Sequence, residues 1–83
     1  MTESESDIAA TIVKGILAGD AAAELQMIER YKRGLRFVLR RKCHDPDLAE
    51  DISQETWRIV IERIRNNELR DATKLSAFIL QTA

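Results

Sequence analysis

A chain of 83 residues, 45% hydrophobic, 33% charged and only 5% aromatic, is long enough for one globular domain and too short for a two-domain enzyme. Three Gly and one Pro are too few for the repeated turns of a sandwich or barrel, whereas the abundance of Ala, Leu, Ile, Glu and Arg favours helix, so an all-α fold is expected. The formal net charge of −1 hides alternating blocks: −4 over residues 1–28, +6 over 29–44, −5 over 45–57 and +2 over 58–83. Blocks of that size point to separate faces for separate partners.

The one cysteine, Cys43, has no internal disulfide partner, and the one histidine, His44, is its neighbour. Neither the paired spacing of a zinc site nor a cofactor motif is present. The segment Met1 to Asp7 is acidic and polar, unlike a signal peptide, and no apolar run reaches the roughly 20 residues needed to cross a bilayer. A cytoplasmic protein without membrane contact is the expectation.

In chain order, Ser4 to Asp7 offers cap-type side chains ahead of Ile8, Ile12, Val13, Ile16 and Leu17, whose spacing predicts a helix to about Ala18. Gly19 suits the left-handed residue that closes a helix and Asp20 caps the next, so the pair reads as a tight corner. From Ala21 to about Cys43 the positions Leu25, Ile28, Tyr31, Leu35, Val38 and Leu39 predict one apolar stripe on a helix of roughly 34 Å. Gly34 interrupts it: either the helix tolerates a cost of about 1 kcal/mol against Ala or, the reading preferred by a small margin, a neighbouring backbone comes close there. Asp45 and Pro46 end that helix and start a third, spanning about Pro46 to Arg65, with Ala49, Ile52, Thr56, Ile59, Val60 and Ile64 as its inward stripe. Asn66 to Ala72 reads as a polar connection, and Thr73 as the cap of a last helix carrying Leu75, Phe78 and Ile79. That helix is still amphipathic at Ala83, as expected of a domain excised from a longer chain. The sum is a compact bundle of three helices plus a shorter fourth.

Catalysis is not expected. Adjacent residues on a helix project about 100° apart, so Cys43 and His44 do not meet as nucleophile and base, and the chain reads as a binding module. The informative stretch is Asp45 to Trp57. At 100° per residue Asp47, Asp51, Gln54, Arg58 and Glu62 fall near one line, flanked by Glu50 and Glu55. Trp57 and Ile61 border this acidic ridge, and a half-buried ring beside charges is the composition of a helix that docks on a basic partner. A solvated face is the other reading. The basic block Arg30, Lys32, Arg33, Arg36, Arg40, Arg41 and Lys42 is compatible with phosphate contact. No aromatic is read as interleaved for base stacking, which favours cations that pair with acids of helices one and three or are simply solvated.

Four strings carry a resemblance. Gly19-Asp20-Ala21-Ala22-Ala23, Tyr31 with Leu35-Arg36-Phe37, Leu48-Ala49-Glu50-Asp51-Ile52-Ser53-Gln54-Glu55-Thr56-Trp57, and Leu75-Ser76-Ala77-Phe78-Ile79-Leu80-Gln81-Thr82-Ala83 resemble, in order and spacing, region two of bacterial sigma factors of the extracytoplasmic function type. Phe78 stands where that family has Trp, and Gln81 where it commonly has Arg. The resemblance implies a transcription initiation domain that docks on the clamp helices of the beta-prime subunit of RNA polymerase and helps recognise and melt the promoter −10 element. It carries docking onto Asp51, Gln54 and Glu55, with Glu50, Trp57, Arg58 and Ile61 beside them. It carries capture of a nontemplate-strand base onto the loop with Arg65, Asn66, Asn67 and Arg70, where amides read a base edge and guanidiniums hold phosphates. Core polymerase, promoter DNA and an anti-sigma factor are the implied partners. A stand-alone helical adaptor using the same ridge is the alternative.

Overall fold

The computed structural model describes residues 4–83; the first three residues of the acidic N-terminal stretch lie outside the described part. Helix α1 spans Glu5–Leu17, α2 Ala21–Lys42, α3 Pro46–Arg65 and α4 Leu75–Thr82, the last preceded by a single 3₁₀ turn at Ala72–Lys74. The fold is all-α, as composition and turn content require. Each long helix begins on the residue the sequence nominates. Ser4 accepts from the Asp7 N–H, Asp20 from Ala22, and Asp45 from Asp47 and Leu48 with Pro46 in the first turn. These bonds satisfy N–H groups that a helix start leaves without partners, about 1 kcal/mol each.

The last cap differs from expectation. Thr73 does not cap α4, which starts after Lys74 without a side-chain cap; Asp71 instead caps the 3₁₀ turn ahead of it, accepting both the Thr73 N–H at 3.0 Å and its hydroxyl at 2.6 Å. Those two hydrogen bonds hold the Asp71 carboxyl below the ordinary aspartate range. The Thr73 hydroxyl is spent on that carboxylate and is not free to accept from the first turn of α4.

At the α1–α2 corner, Gly19 has φ +80°. Its N–H donates to the Ile16 carbonyl and the Asp20 N–H to the Gly15 carbonyl, at 3.0 and 2.9 Å, the double bond pattern of a Schellman closure. The chain therefore reverses in two residues and α2 lies directly against α1. A Cβ placed on Gly15 would sit 2.5 Å from the Ala23 Cβ, so the helices touch where both side chains are minimal. Close backbone approach thus belongs to Gly15. At Gly34, where it was expected, an added Cβ meets nothing within 4 Å, and that glycine lies on the exposed side of α2.

The core draws Ala9, Ile12, Val13 and Ile16 from α1, Ala23, Met27, Leu35 and Leu39 from α2, Trp57, Val60 and Ile64 from α3, and Leu75 and Ile79 from α4. Each large aliphatic chain buried in this way contributes about 1.5–3 kcal/mol. Two expected core residues are outside. Leu25 is 65% exposed and Leu17 47%. Leu25 lies two residues, about 200°, from Ala23, and the tight corner fixes Ala23 as the inward position. Leu17, one residue beyond the inward-facing Ile16, is turned past the contact with α2. In α3 the buried strip is Ser53, Thr56, Trp57, Val60 and Ile64, rotated from the expected one because α3 packs against α1, α2 and α4 together. The Thr56 hydroxyl is satisfied by the Ile52 carbonyl at 2.7 Å. At the far end the Arg63 guanidinium lies 5.8 Å from the centre of the half-buried Phe78 ring.

Polar clasps join helices at the surface. Glu5 of α1 accepts from the Tyr31 hydroxyl at 2.7 Å and from Arg30 of α2. Chiefly through the Arg30 bond, and then the Tyr31 bond, the Glu5 carboxyl is held below the ordinary glutamate range. Burial, followed by the bond to Glu5, pushes the Tyr31 phenol up to about 12.

Two predictions follow from these contacts. Gly34→Ala is expected to raise stability by about 0.5–1 kcal/mol by removing a helix-interior glycine, while Gly15→Ala lowers it by about 1–3 kcal/mol through overpacking; the order of urea midpoints checks both. A folded-state phenol pKa above the unfolded value stabilises fully below pH 10 and loses that contribution as pH rises from 10 toward 12, whereas the Glu5 contribution is present above its unfolded pKa and fades in acid. Wild type should therefore lose stability over that alkaline interval relative to Tyr31→Phe in a titration of unfolding free energy.

Candidate functional site: the acidic flank of α3 and the following loop

Helix α3 exposes the flank opposite its buried strip. Asp47, Glu50, Asp51, Gln54, Glu55, Arg58 and Glu62 are all exposed there, so none of the ridge carboxylates is spent on the core. Arg58, the one cation on the ridge line, grips two acids. Its Nη2 and Nε donate to the Glu55 carboxylate at 2.5 and 3.2 Å, and its Nη1 to Glu62 at 3.4 Å. That fork holds the Glu55 carboxyl below the ordinary glutamate range. Glu50 stands 3.9 Å from Arg36 of α2. Asp47, Asp51 and Gln54 have no side-chain hydrogen bond or ion pair among the described residues. The centre of the ridge thus carries fixed charge and amide groups without a partner, and its C-terminal end is internally paired.

Trp57 is corrected from half-buried anchor to core residue, since only 7% of it is exposed. It lies one position beyond Thr56 on a helix packed on three sides, and the α2 side claims the ring. Its edge reaches the surface in a depression of about 290 Å³ between α2 and α3, lined also by Ile28, Lys32, Arg36, Glu50, Ser53 and Gln54. Ile61 is partly buried beside Arg58 and Glu62, in a second depression that Glu24, Arg65 and Asn66 complete. Tertiary structure therefore brings cations of α2 to the edge of the ridge, a juxtaposition that no local spacing reveals.

The loop after α3 has a structural task. Asn66 caps the helix and Asn67 has φ +61°. The Asn67 N–H donates to the Ile64 carbonyl at 2.9 Å and the Glu68 N–H to Arg63 at 3.0 Å, a second Schellman closure, reinforced by the Arg63 to Glu68 ion pair at 3.5 Å. Asparagine is the side chain after glycine that best tolerates this conformation. Arg65, expected to be available for phosphate, is paired with Glu24 of α2 at 3.1 Å. Asn66, Asn67 and Arg70 keep exposed side chains, and Arg70 has no ion pair among the described residues.

The basic block is only partly neutralised. Arg30 pairs with Glu5, Lys32 with Glu29 at 3.0 Å and Arg36 with Glu50. Arg33, Arg40, Arg41 and Lys42 have no acidic partner among the described residues and are exposed, so the block divides between internal pairing and solvation. Contrary to expectation, an aromatic does interleave with the block: Phe37 lies among these arginines and is 63% exposed.

Fold and surface define an all-α binding module with an outward acidic flank, and no helix among the described residues is long and apolar enough to cross a membrane. The family profile of sigma-70 region 2 matches residues 27–83, from the first third of α2 through α4. The chain belongs to the sigma-70 region 2 family, domains of transcription initiation and promoter recognition that work with core RNA polymerase and promoter DNA rather than as enzymes. Helix α1 and the Gly19 corner precede the matched span. Comparison with curated proteins and with solved structures gives no match.

The left-handed Asn67 makes a separable prediction. Asn67→Gly should keep stability within a few tenths of a kcal/mol, while Asn67→Val, β-branched at positive φ, should lower it by about 1–3 kcal/mol. Thermal unfolding of both variants by circular dichroism provides the measurement.

Proposed function

We propose that this domain docks through the acidic flank of α3 on the clamp helices of the beta-prime subunit of RNA polymerase, as region two of a bacterial sigma factor of the extracytoplasmic function type. What carries the reading is Asp51: exposed, without an ion pair among the described residues, and flanked by the equally unengaged Gln54 and Asp47. An arginine of a basic coiled coil would bond such a carboxylate with charge assistance and without first breaking an internal pair. Glu55 and Glu50 would have to exchange Arg58 and Arg36 for new cations. Arg58 and Ile61 form the C-terminal border of this surface, and Trp57 supports it from beneath.

In the same reading, the loop after α3 meets the nontemplate strand at the −10 element and assists melting in the cytoplasm. Asn66 and the Asn67 amide are its base-reading groups, Arg70 its free phosphate ligand, and Arg65 a ligand that must first release Glu24. An anti-sigma factor would act by covering the α3 flank.

The test is binding of a beta-prime clamp-helix fragment, followed by calorimetry. The double variant Asp51→Arg and Glu55→Arg should weaken it about 100-fold with unchanged far-ultraviolet circular dichroism, and Asp51→Ala should cost more than Glu55→Ala because only Glu55 has a competing internal partner. Unchanged affinity in the double variant removes the docking assignment. Recovery of a different basic protein in place of core polymerase from bacterial lysate, together with no clamp-fragment binding, would favour a stand-alone adaptor.

A further inference from the structure

Two large apolar side chains stand in solvent inside frames of opposite charge. On α2, Phe37 is 63% exposed and projects about 160° from both Leu35 and Leu39, with Arg33, Arg40 and Arg41 within about 60° of it around the helix. Phe37, Arg33 and Arg40 border, with Lys32 and Arg36, an open depression of about 330 Å³, and the Arg41 guanidinium lies 5.7 Å from the ring centre. On α3, Leu48 is 49% exposed and projects about 180° from Trp57, with Asp51 and Glu55 within about 60° of it and Asp47 about 100° away. Arg33, Arg40 and Arg41 have no acidic partner among the described residues, and neither Asp47 nor Asp51 has a cationic one.

The two frames match in length as well as in sign. From Arg33 to Arg41 and from Asp47 to Glu55 the helices each advance about 12 Å, and Phe37 stands as far from Arg40 along its axis as Leu48 does from Asp51. Each face is turned away from the core of its own copy, so the fold cannot close one on the other within a single chain. Apart, each holds like charges that repel and an apolar side chain in water. Across two copies, ring meets leucine while guanidiniums meet carboxylates in charge-assisted bonds. We propose that the chain self-associates head to tail, the outer face of α2 centred on Phe37 seating the Leu48 end of the acidic α3 flank of a second copy. The contact is heterologous, so joining two copies leaves one free half on each for a further copy. Two short helical faces lie at the weak end of protein interfaces, and assembly is therefore reversible and set by concentration. A copy held in this way has its α3 flank covered; competition with clamp docking is the one part that rests on the function proposed above.

Sedimentation velocity of the 83-residue chain over a concentration series provides the test. The weight-average sedimentation coefficient should rise with concentration at low salt and return toward the monomer value at about 1 M salt, where the screening length is about 3 Å. Phe37→Ala and Leu48→Ala should each weaken association about ten-fold, with circular dichroism unchanged. Two neutral variants establish the geometry: one carries Phe37→Ala, Arg33→Gln and Arg40→Gln, the other Leu48→Ala, Asp47→Asn and Asp51→Asn. Each should stay monomeric alone, and an equimolar mixture should give a one-to-one dimer and nothing larger, because a single intact half remains on each partner. A wild-type chain that stays monomeric at every concentration overturns the proposal, as does a mixture that fails to pair or association that high salt leaves unaltered. Clamp-fragment affinity of the α2 variant should match that of the wild-type monomer. If wild type binds the fragment and never self-associates, this proposal alone fails; if it self-associates without binding the fragment, the docking reading alone fails. Fragment and second copy held on one flank together would overturn the competition.

Discussion

Helix α3 lies against three neighbours at once, and its orientation about its own axis decides what the rest of the surface can do. Ser53, Thr56, Trp57, Val60 and Ile64 face inward. With Trp57 committed to the core, a rotation of one residue would expose the indole and draw Asp51 toward α2. The large side chains make such a rotation costly, since the burial of an aromatic of this size is among the larger single contributions to a small core. The polar groups admitted to that strip are small, and Thr56 meets its hydrogen-bond requirement within the helix. An apolar constraint thereby sets an electrostatic outcome, with the acids of α3 displayed in fixed register.

The charges on that register are not equivalent. Arg58 ties the C-terminal part of the ridge into a local network, while Asp47, Asp51 and Gln54 remain unengaged. Exposed pairs of this kind are worth little to folding, so the network matters more for which carboxylates are free to meet another molecule. The cations show the same division. Arg30 and Arg65 tie helices together through Glu5 and Glu24, whereas the outer arginines of α2 are left to solvent. A net charge near zero thus coexists with two surfaces of opposite sign on adjacent helices.

Much of the fold was legible in the residues themselves. Capping chemistry is local: Ser4, Asp20, Asp45 with Pro46, and Gly19 each act within a few residues, and helix limits read from them agree with the structure to within a residue. What the residues concealed depends on neighbours distant in sequence. Gly15 and Gly34 have similar helical contexts, yet only the former meets another helix, because the Gly19 turn sends α2 back across it. Leu25 and Leu17 satisfy the periodicity but fall where no partner element lies. Trp57 is buried although the periodicity places it at the edge of the stripe, because periodicity ranks directions about a helix without telling how wide the covered arc is. In the binding surface, the outward acids were visible from spacing, while the capture of Arg65 by Glu24 spans residues far apart in the chain. Phe37 sits in the basic block, but its exposure is a property of the bundle that the local sequence does not carry.

Asp20 belongs to two helices at once. Its N–H completes the closure of α1 on the Gly15 carbonyl and its carboxylate accepts from Ala22 at the start of α2. Unravelling the end of the first helix therefore strips the second of its cap, and the Gly15 to Ala23 contact separates in the same event. Fraying, ordinarily independent at each helix terminus, becomes a joint transition at this corner. The segment ahead of the family-matched span is consequently knit into one cooperative unit with it, so that α1 and the first turn of α2 should exchange their amide protons together.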